Sequence, residues 1–420
     1  MNWNGLSLIE ASGVVLSIFI IIFLIRRGWK MYWVLLLATM ILFITNSNSF
    51  TDNLSLLYNS LISPTAFYLV SMVIAITLLG NLHQKIGAME QLVDHLRYLI
   101  RDPRALLMLF PAVISIFSTV PGGAIISAPM VEETGREIKM PPVDLAMSNM
   151  VYRHLVVLIT PFNSSIILAS GITGISIARY LSFTVPVIAI VFVIATIILL
   201  VRYPGVKKPI HMKTKANNIQ NALFGIMVSS SPYILAIVLG LAFGVYFPLA
   251  LLAGIGLALL INLPHKLSGP TLLNRFKILA GGFNWSMALS TLAIVFYKDF
   301  MLEANSFQQV VHYLVDHGLP LFILIIVLPF ITGFITGNNT ASLGISLPVL
   351  IPFIGPDMFS LRYFGLVYLS SYAGYFGSPI HLCTYLTNEY FKTSMYMLVK
   401  RINIYGAIML AVGLVLALFY

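Results

Sequence analysis

Charged residues are scarce in this chain of 420 residues. Asp, Glu, Lys and Arg together make up 9% of it, whereas a typical soluble domain carries roughly 25%. Hydrophobic residues reach 59%, which leaves little room for a soluble domain and predicts an all-α polytopic membrane protein. Cysteine occurs once, as Cys383, so a disulfide framework within the chain and a CxxC metal site are both excluded.

Hydrolase motifs are missing as well. The sequence contains no HExxH, no GxSxG and no pair of GxGD-type aspartates, which are patterns typical of metal-dependent, serine and aspartyl hydrolases. We therefore expect no enzyme and no resident cofactor. The net charge of +10 does not indicate a nucleic-acid partner, because the distribution of basic residues along the chain has another explanation.

Ten apolar runs are long enough to cross a bilayer, which takes about 17 to 25 residues. They lie near 8–25, 31–46, 62–82, 148–170, 180–201, 224–243, 247–263, 279–298, 362–387 and 402–419. Two further apolar regions, about 104–131 and 320–350, are interrupted by glycine, proline and polar residues. We interpret each of these two regions as a re-entrant helical hairpin.

Positive charge is distributed in a way that supports this arrangement. With ten crossings and two hairpins, all basic residues except Arg153, Arg179, Lys298 and Arg362 fall in loops on one side. That side is cytoplasmic by the positive-inside rule, so both termini are expected outside. The sequence thus predicts a multi-pass protein of the inner or plasma membrane.

The two halves of the sequence resemble each other at a constant spacing of 218 residues. Pro111 and Pro329 are separated by this distance, and so are Pro161 and Pro379. Each half has five crossings, an odd number, so the sequence predicts two inverted repeats, an arrangement typical of secondary transporters. The predicted boundaries are 1–205 for the first repeat, 206–221 for a basic cytoplasmic linker and 222–420 for the second repeat.

Polar residues at the two hairpin tips and in two broken spans are candidates for ligand binding. Non-helical backbone at membrane depth is tolerated where it lines a cavity; its free oxygens suit a small cation, and helix N-termini suit an anion. The candidate substrate-binding residues are Ser118, Thr119, Gly122, Asn163, Ser164, Asn338, Asn339, Thr340, Ser378 and His381. The candidate sodium ligands are Ser118, Thr119, Thr160, Asn339, Thr340 and Ser378.

Ionisable residues also occur in these spans. Arg153 could neutralise an anion, or could pair near the cytoplasmic end with Asp144 or Glu133. His154 and His381 could carry protons during transport, or could make only structural hydrogen bonds. The hairpin tips and the breaks contain no Asp or Glu, which favours sodium over the proton as the coupling ion.

The segment TGNNTAS, 336–342, resembles the Ser-Asn-Thr hairpin-tip signature of the divalent anion/sodium symporters of the ion transporter superfamily. Asn338 takes the place of its Ser, while Asn339 and Thr340 match its Asn and Thr. The first tip keeps Ser118 and Thr119 without an Asn. Over the whole chain the architecture is similar above all to a ten-span bacterial and archaeal family in that superfamily. The resemblance implies a homodimer and an elevator mechanism, in which hairpins and broken spans move as a block against a scaffold.

These features predict a secondary active transporter that moves a small, carboxylate-like organic anion, coupled to sodium, by elevator-type alternating access. A sodium/proton antiporter and a proton-coupled anion carrier are the alternatives, and an ion channel is a further one. The expected partners are the anion, membrane lipid and a second copy of the chain.

Overall fold

The computed structural model is helical throughout the part of the chain that it describes. The described residues are 5–100, 102–117, 123–204, 218–261, 271–304, 320–354 and 361–419. No β-strand occurs within these ranges, which confirms the expected all-α class for them.

Nineteen helices form the described part of the chain. In the first half they are α1 (Gly5–Arg26), α2 (Met31–Thr45), α3 (Phe50–Leu61), α4 (Pro64–Lys85), α5 (Ala88–Leu99), α6 (Pro103–Phe117), α7 (Gly123–Glu137), α8 (Pro142–Leu158), α9 (Ser164–Thr173) and α10 (Ile177–Arg202). In the second half they are α11 (Ile219–Ile237), extended by a π-helical turn (Val238–Ala242), α12 (Phe247–Leu260), α13 (Leu272–Gly281), α14 (Trp285–Glu303), α15 (Leu321–Thr336), α16 (Asn339–Leu350), α17 (Leu361–Phe376), α18 (Leu382–Phe391) and α19 (Met395–Ala417).

Several of these helices can cross a bilayer. Those long and apolar enough are Leu8–Ile25, Pro64–Lys85, Ile177–Arg202, Ile219–Ala242 and Met395–Ala417. Their outward faces carry exposed large apolar side chains such as Phe19, Val193 and Met227, which suit lipid better than water. The structure therefore supports a multi-pass membrane protein.

One predicted span is bent. The sequence suggested a continuous crossing over 279–298, but α13 and α14 meet there at an angle of 44°. The cause is local: Gly281 and Gly282 weaken the helix, and Asn284 starts a new one by accepting a hydrogen bond from the Met287 N–H.

One segment that was expected to be a loop is helical. The segment between the predicted span 62–82 and the predicted hairpin 104–131 contains α5, which buries Ala88, Met89, Leu92 and Val93 and packs against α11. These positions recur with the period of one helix face, so an amphipathic helix lying against the bundle accounts for them.

The two predicted broken spans are interrupted where the sequence suggested. α8 ends at Leu158 and α9 begins at Ser164, while α17 ends at Phe376 and α18 begins at Leu382. Each break contains a proline, Pro161 or Pro379, which removes a helix-forming N–H group.

Two helix pairs form the predicted hairpins, α6 with α7 and α15 with α16. The first hairpin runs on to Glu137, beyond the expected end near 131. Its tip, 118–122, and the predicted linker residues 206–217 lie outside the described residues. Helix α9 packs on α16 and α18 packs on α7, so each short helix that follows a break contacts the hairpin of the other half.

Candidate functional site

A cavity of about 440 Å³ lies where the two breaks meet the tip of the second hairpin. Its wall is built mainly from α8, α9, α14, α17, α18 and the α15–α16 turn. The volume falls within the range of roughly 300–1,000 Å³ that is typical of small-molecule sites. The cavity is therefore large enough for a small organic ligand.

Most of the residues singled out in the sequence line this cavity. They are Arg153, His154, Thr160, Asn163, Ser164, Asn338, Asn339, Thr340 and His381. Ser378 is fully buried and donates a hydrogen bond to the Phe334 carbonyl at 2.6 Å, and it is not among the lining residues. Ser118, Thr119 and Gly122 lie outside the described residues.

The second hairpin tip is shaped by a glycine and a capping asparagine. Gly337 ends α15 in the left-handed conformation with φ 58°, which favours glycine. A Cβ atom there would lie 3.0 Å from the backbone nitrogen of His381, so glycine also permits close approach to the second break. Asn338 then starts α16 by accepting a hydrogen bond from the Ala341 N–H at 3.0 Å.

Asn339 has an incompletely satisfied amide. Its side chain is buried, and its Oδ1 accepts a hydrogen bond from Ser371 Oγ at 2.6 Å. Its Nδ2 has no hydrogen-bond partner among the described residues. Because an unsatisfied buried donor costs about 1–3 kcal/mol, this amide is suited to donate to an oxygen of a ligand in the cavity.

Three hydroxyl groups connect the second hairpin tip with the first break. Thr340 Oγ1 lies 3.2 Å from Ser164 Oγ and 3.1 Å from Ser165 Oγ. Neutral oxygens of this kind are hard ligands that suit a small cation. The contact also joins residues 175 and 176 positions apart in the sequence.

Arg153 brings a fixed positive charge to the cavity wall. It is 3% exposed and interacts with the thiol of Cys383. The alternative partners suggested by the sequence are engaged elsewhere: Asp144 pairs with Arg202 and Arg401.

Distance also separates Arg153 from Asp144, which lies nine residues away on the same helix, about 13 Å along the axis. Glu133 pairs with Arg97 at 3.0 Å. No Asp or Glu occurs among the described residues that line the cavity.

The two histidines contact each other across the breaks. His154 Nε2 lies 2.9 Å from His381 Nε2, although the residues are 227 positions apart. The ligand atoms of His154, His381 and Cys383 all lie within 4.8 Å of one another. The two nitrogens are nevertheless closer than the roughly 3.3 Å that separates two nitrogen ligands of a tetrahedral zinc ion, so the contact has the length of a hydrogen bond.

Comparison with known proteins identifies the family of this chain. Residues 11–419 match the family described as "Protein of unknown function (DUF401)". The chain belongs to this family. No curated protein matches its sequence significantly.

A solved structure shares the fold of this DUF401 protein. It is similar to the crystal structure of the YdaH transporter of Alcanivorax borkumensis, with a TM-score of 0.64 and 13% sequence identity. The similarity covers 95% of this chain and 98% of that chain. At this level of identity the likeness is one of fold.

Sequence reasoning missed one wall of the cavity in this DUF401 protein. The residues Asn284, Ser286, Ser290 and Thr291 of the α14 segment line it, whereas the sequence predicts only a membrane crossing there. Ser286 and Ser290 are four residues apart and so lie on one helix face. That polar stripe in the first half of the helix was the available signal. Cys383, the single cysteine of the chain, lines the cavity as well.

Proposed function

We propose that this DUF401 protein is a secondary active transporter of a small organic anion. The observation that carries the proposal is the composition of the cavity wall. It contains the buried Arg153 and the unpartnered Asn339 Nδ2, and no carboxylate among its described residues. A buried charge in a membrane protein is costly and marks a substrate pathway by default.

A carboxylate ligand would supply the negative charge that is absent from the described residues of this wall. The guanidinium of Arg153 is permanently charged and can donate two parallel hydrogen bonds to a carboxylate. The N-termini of α9 and α16, capped by Asn163 and Asn338, reach the cavity and favour negative charge. An anion bound there would offset the positive charge and accept from Asn339 Nδ2.

Alternating access between two inverted repeats, 1–205 and 222–420, is the proposed mode of transport. Helix starts support it: α6 and α15, α9 and α18, and α10 and α19 each begin 218 residues apart. The wall supports it too, because positions separated by 218 line the cavity together. These positions are 73 and 291, 76 and 294, 154 and 372, 157 and 375, 163 and 381, 164 and 382, and 165 and 383. A midplane site between inverted repeats is common in transporters.

We further propose an elevator motion in a homodimer. The hairpins and the broken spans contact one another, as in the pairs α6–α8, α15–α17, α9–α16 and α7–α18. Such mutual packing would allow them to move as one block. The pairs α1–α2, α11–α12, α2–α14 and α4–α12 also pack together and would form much of the scaffold.

Sodium is the proposed coupling ion. Neutral oxygens at the cavity come from the hydroxyls of Ser164, Ser165 and Thr340. The side-chain oxygen of Asn339 is a further one. A proton-coupled anion carrier is the second candidate, and one observation favours it: the contact between His154 and His381.

Uptake into proteoliposomes tests the proposal. The full-length protein would be offered radiolabelled acetate, lactate, succinate and citrate, with an inward gradient of sodium or of choline. We expect sodium-dependent accumulation of at least one of these anions by the wild-type protein. The variant Asn339→Ala should lose it, because the cavity amide is gone.

The matched control is Asn59→Ala, which changes an exposed asparagine on α3 and should transport normally. Normal accumulation by Asn339→Ala would sink the proposed binding site. Ion currents far above carrier turnover would favour a channel instead. Sodium exchange for protons without any of the four anions would favour the antiporter.

A further inference from the structure

A second cavity lies at the end of the bundle where α10 stops and where α8 and α19 begin. Its volume is about 250 Å³, and these three helices supply most of its lining. We propose that this cavity binds one anionic phospholipid, with the phosphate at its arginines and an acyl chain along its apolar part. This lipid cavity shares no lining residue with the central cavity, and its occupant goes beyond the proposed transport.

The polar part of the lipid cavity is a cluster of two arginines around one carboxylate. Arg202 and Arg401 both pair with the buried Asp144. Asp144 also accepts a hydrogen bond from the Tyr203 hydroxyl group. The other residues that line the cavity are uncharged, so two positive charges face one negative charge and the site is positive on balance.

Both arginines can donate to a further acceptor. The closest contact of each with Asp144 is made by a single nitrogen atom, whereas a guanidinium group has five N–H donors. The side chains of Arg202 and Arg401 are 53% and 31% exposed, but that of Asp144 is only 7% exposed. The arginines therefore face outward from an enclosed carboxylate, and phosphate oxygens match their donor geometry.

The rest of the lipid cavity is apolar and opens towards the bilayer. Ile198 and Ile404 are 41% and 53% exposed, and they lie on α10 and α19, which are both long and apolar enough to cross a bilayer. An acyl chain suits such an open apolar surface, and a soluble anion has no acyl chain to place there. The apolar lining consists of Met140, Met147, Val151, Ala195, Ile198, Leu199 and Ile404.

One buried hydroxyl group in this lining has no partner. Tyr152 is 2% exposed, and its Oη has no hydrogen-bond partner among the described residues. Tyr152 lies eight residues beyond Asp144 on α8, about 12 Å along the axis and nearer the middle of the membrane. An unsatisfied buried polar group is costly, so this hydroxyl is suited to donate to an ester oxygen of a bound lipid.

The charge of the headgroup decides between lipids. The phosphate of phosphatidylglycerol offsets the excess positive charge of the cluster. Phosphatidylcholine brings the same phosphate together with a quaternary ammonium group, which the two arginines repel. Arg202 and Arg401 also lie on the predicted cytoplasmic side, where anionic lipids attract basic residues.

Native mass spectrometry of the full-length, delipidated protein tests the proposal. Phosphatidylglycerol and phosphatidylcholine with identical acyl chains are the probes, and glycerol 3-phosphate tests for a soluble anion. Arg202→Gln removes one arginine and leaves Asp144 its contacts with Arg401 and Tyr203. Arg179→Gln is its control, because it changes an exposed arginine at the opposite end of α10.

A second variant tests the apolar part without changing any charge. Ile404→Trp places a larger side chain in the opening of the cavity and should hinder the acyl chain. Ile197→Trp is its control, because Ile197 is 54% exposed on α10 and does not line the cavity.

We expect phosphatidylglycerol to bind at least about fivefold more tightly than phosphatidylcholine, and Arg202→Gln to lose about that factor. Ile404→Trp should weaken binding of both lipids, whereas both controls should match the wild type. Equal binding of the two lipids, or unchanged binding in Arg202→Gln or Ile404→Trp, would overturn the proposal. So would glycerol 3-phosphate that binds as tightly as the lipid, or a dimer that forms without any bound lipid and excludes it.

Discussion

The two breaks that meet at the cavity are built alike but carry different side chains. The first places Asn-Ser-Ser, 163–165, in the wall, and the second places His-Leu-Cys, 381–383, at positions 218 residues later. The helices before them differ more: Arg153 in α8 corresponds to Ser371 in α17. The first half thus contributes the fixed charge, whereas the second half contributes the amide-rich hairpin tip. A ligand that uses both must be held by the two halves together.

The largest effect is expected from removing the fixed charge. Arg153→Gln should weaken binding of the transported anion at least about 30-fold, because truncating a buried charged partner typically costs 2 kcal/mol or more. Titration of the purified protein with an anion that raises its melting temperature measures this change in affinity.

Arg179→Gln is the matched control, because Arg179 is an exposed arginine at the start of α10. Its affinity for the anion should equal that of the wild type. Unchanged affinity in Arg153→Gln would show that the charge difference between the halves has no role in binding.

A second difference between α8 and α17 lies near their N-termini. Asp144 of α8 is buried between Arg202 and Arg401, whereas the corresponding residue of α17 is Arg362. Asp144→Asn should lower the free energy of unfolding by about 1–2 kcal/mol, since two arginines lose their acceptor but remain partly solvated. Thermal unfolding measures this loss, and the exposed Glu137→Gln should show none. Equal melting temperatures for Asp144→Asn and wild type would contradict the structural role.

A third test breaks the link between the halves. Thr340→Val keeps the side-chain shape but removes the hydroxyl that contacts Ser164 and Ser165. The loss of hydrogen bonding should destabilise the protein by about 1 kcal/mol and weaken any stabilisation by sodium. Thr173→Val is the control, because that hydroxyl bonds only to nearby backbone of its own half, donating to the Ala169 carbonyl and accepting from the Ile175 N–H. A larger loss in the control would mean that the contact between the halves contributes little.

The smallest effect concerns the starts of the two hairpins, where Asp102 precedes α6 and Pro320 precedes α15. Hydrogen bonds from Arg104 hold the pKa of Asp102 below its ordinary value. The resulting stabilisation is present above the ordinary carboxyl pKa and is lost as the pH falls through the lowered one. Asp102→Asn should cost at most about 0.5 kcal/mol at neutral pH, because solvent screens this partly exposed pair. As the pH falls from 7 to 3, the difference in unfolding free energy between the wild type and Asp102→Asn should shrink. A difference that grows in acid would contradict the stabilising role of the ionised Asp102.

The breaks and the second hairpin tip were predictable because their signals are local. Pro161, Pro379 and Gly337 interrupt helices through their own backbone chemistry, so short stretches of sequence reveal them. The contact between His154 and His381 was not predictable, since it depends on how two distant segments pack. The polar face of α14 was missed for a related reason: its partners come from other helices.

Thermal stability of the purified protein, measured against a panel of small anions in sodium and in choline, tests the central claim most directly. A ligand that binds only the folded state raises the melting temperature. We predict that at least one carboxylate stabilises the wild type when sodium is present and fails to stabilise Arg153→Gln. Stabilisation by sodium or by pH alone, with no response to any anion, would contradict an anion carrier and favour a cation exchanger.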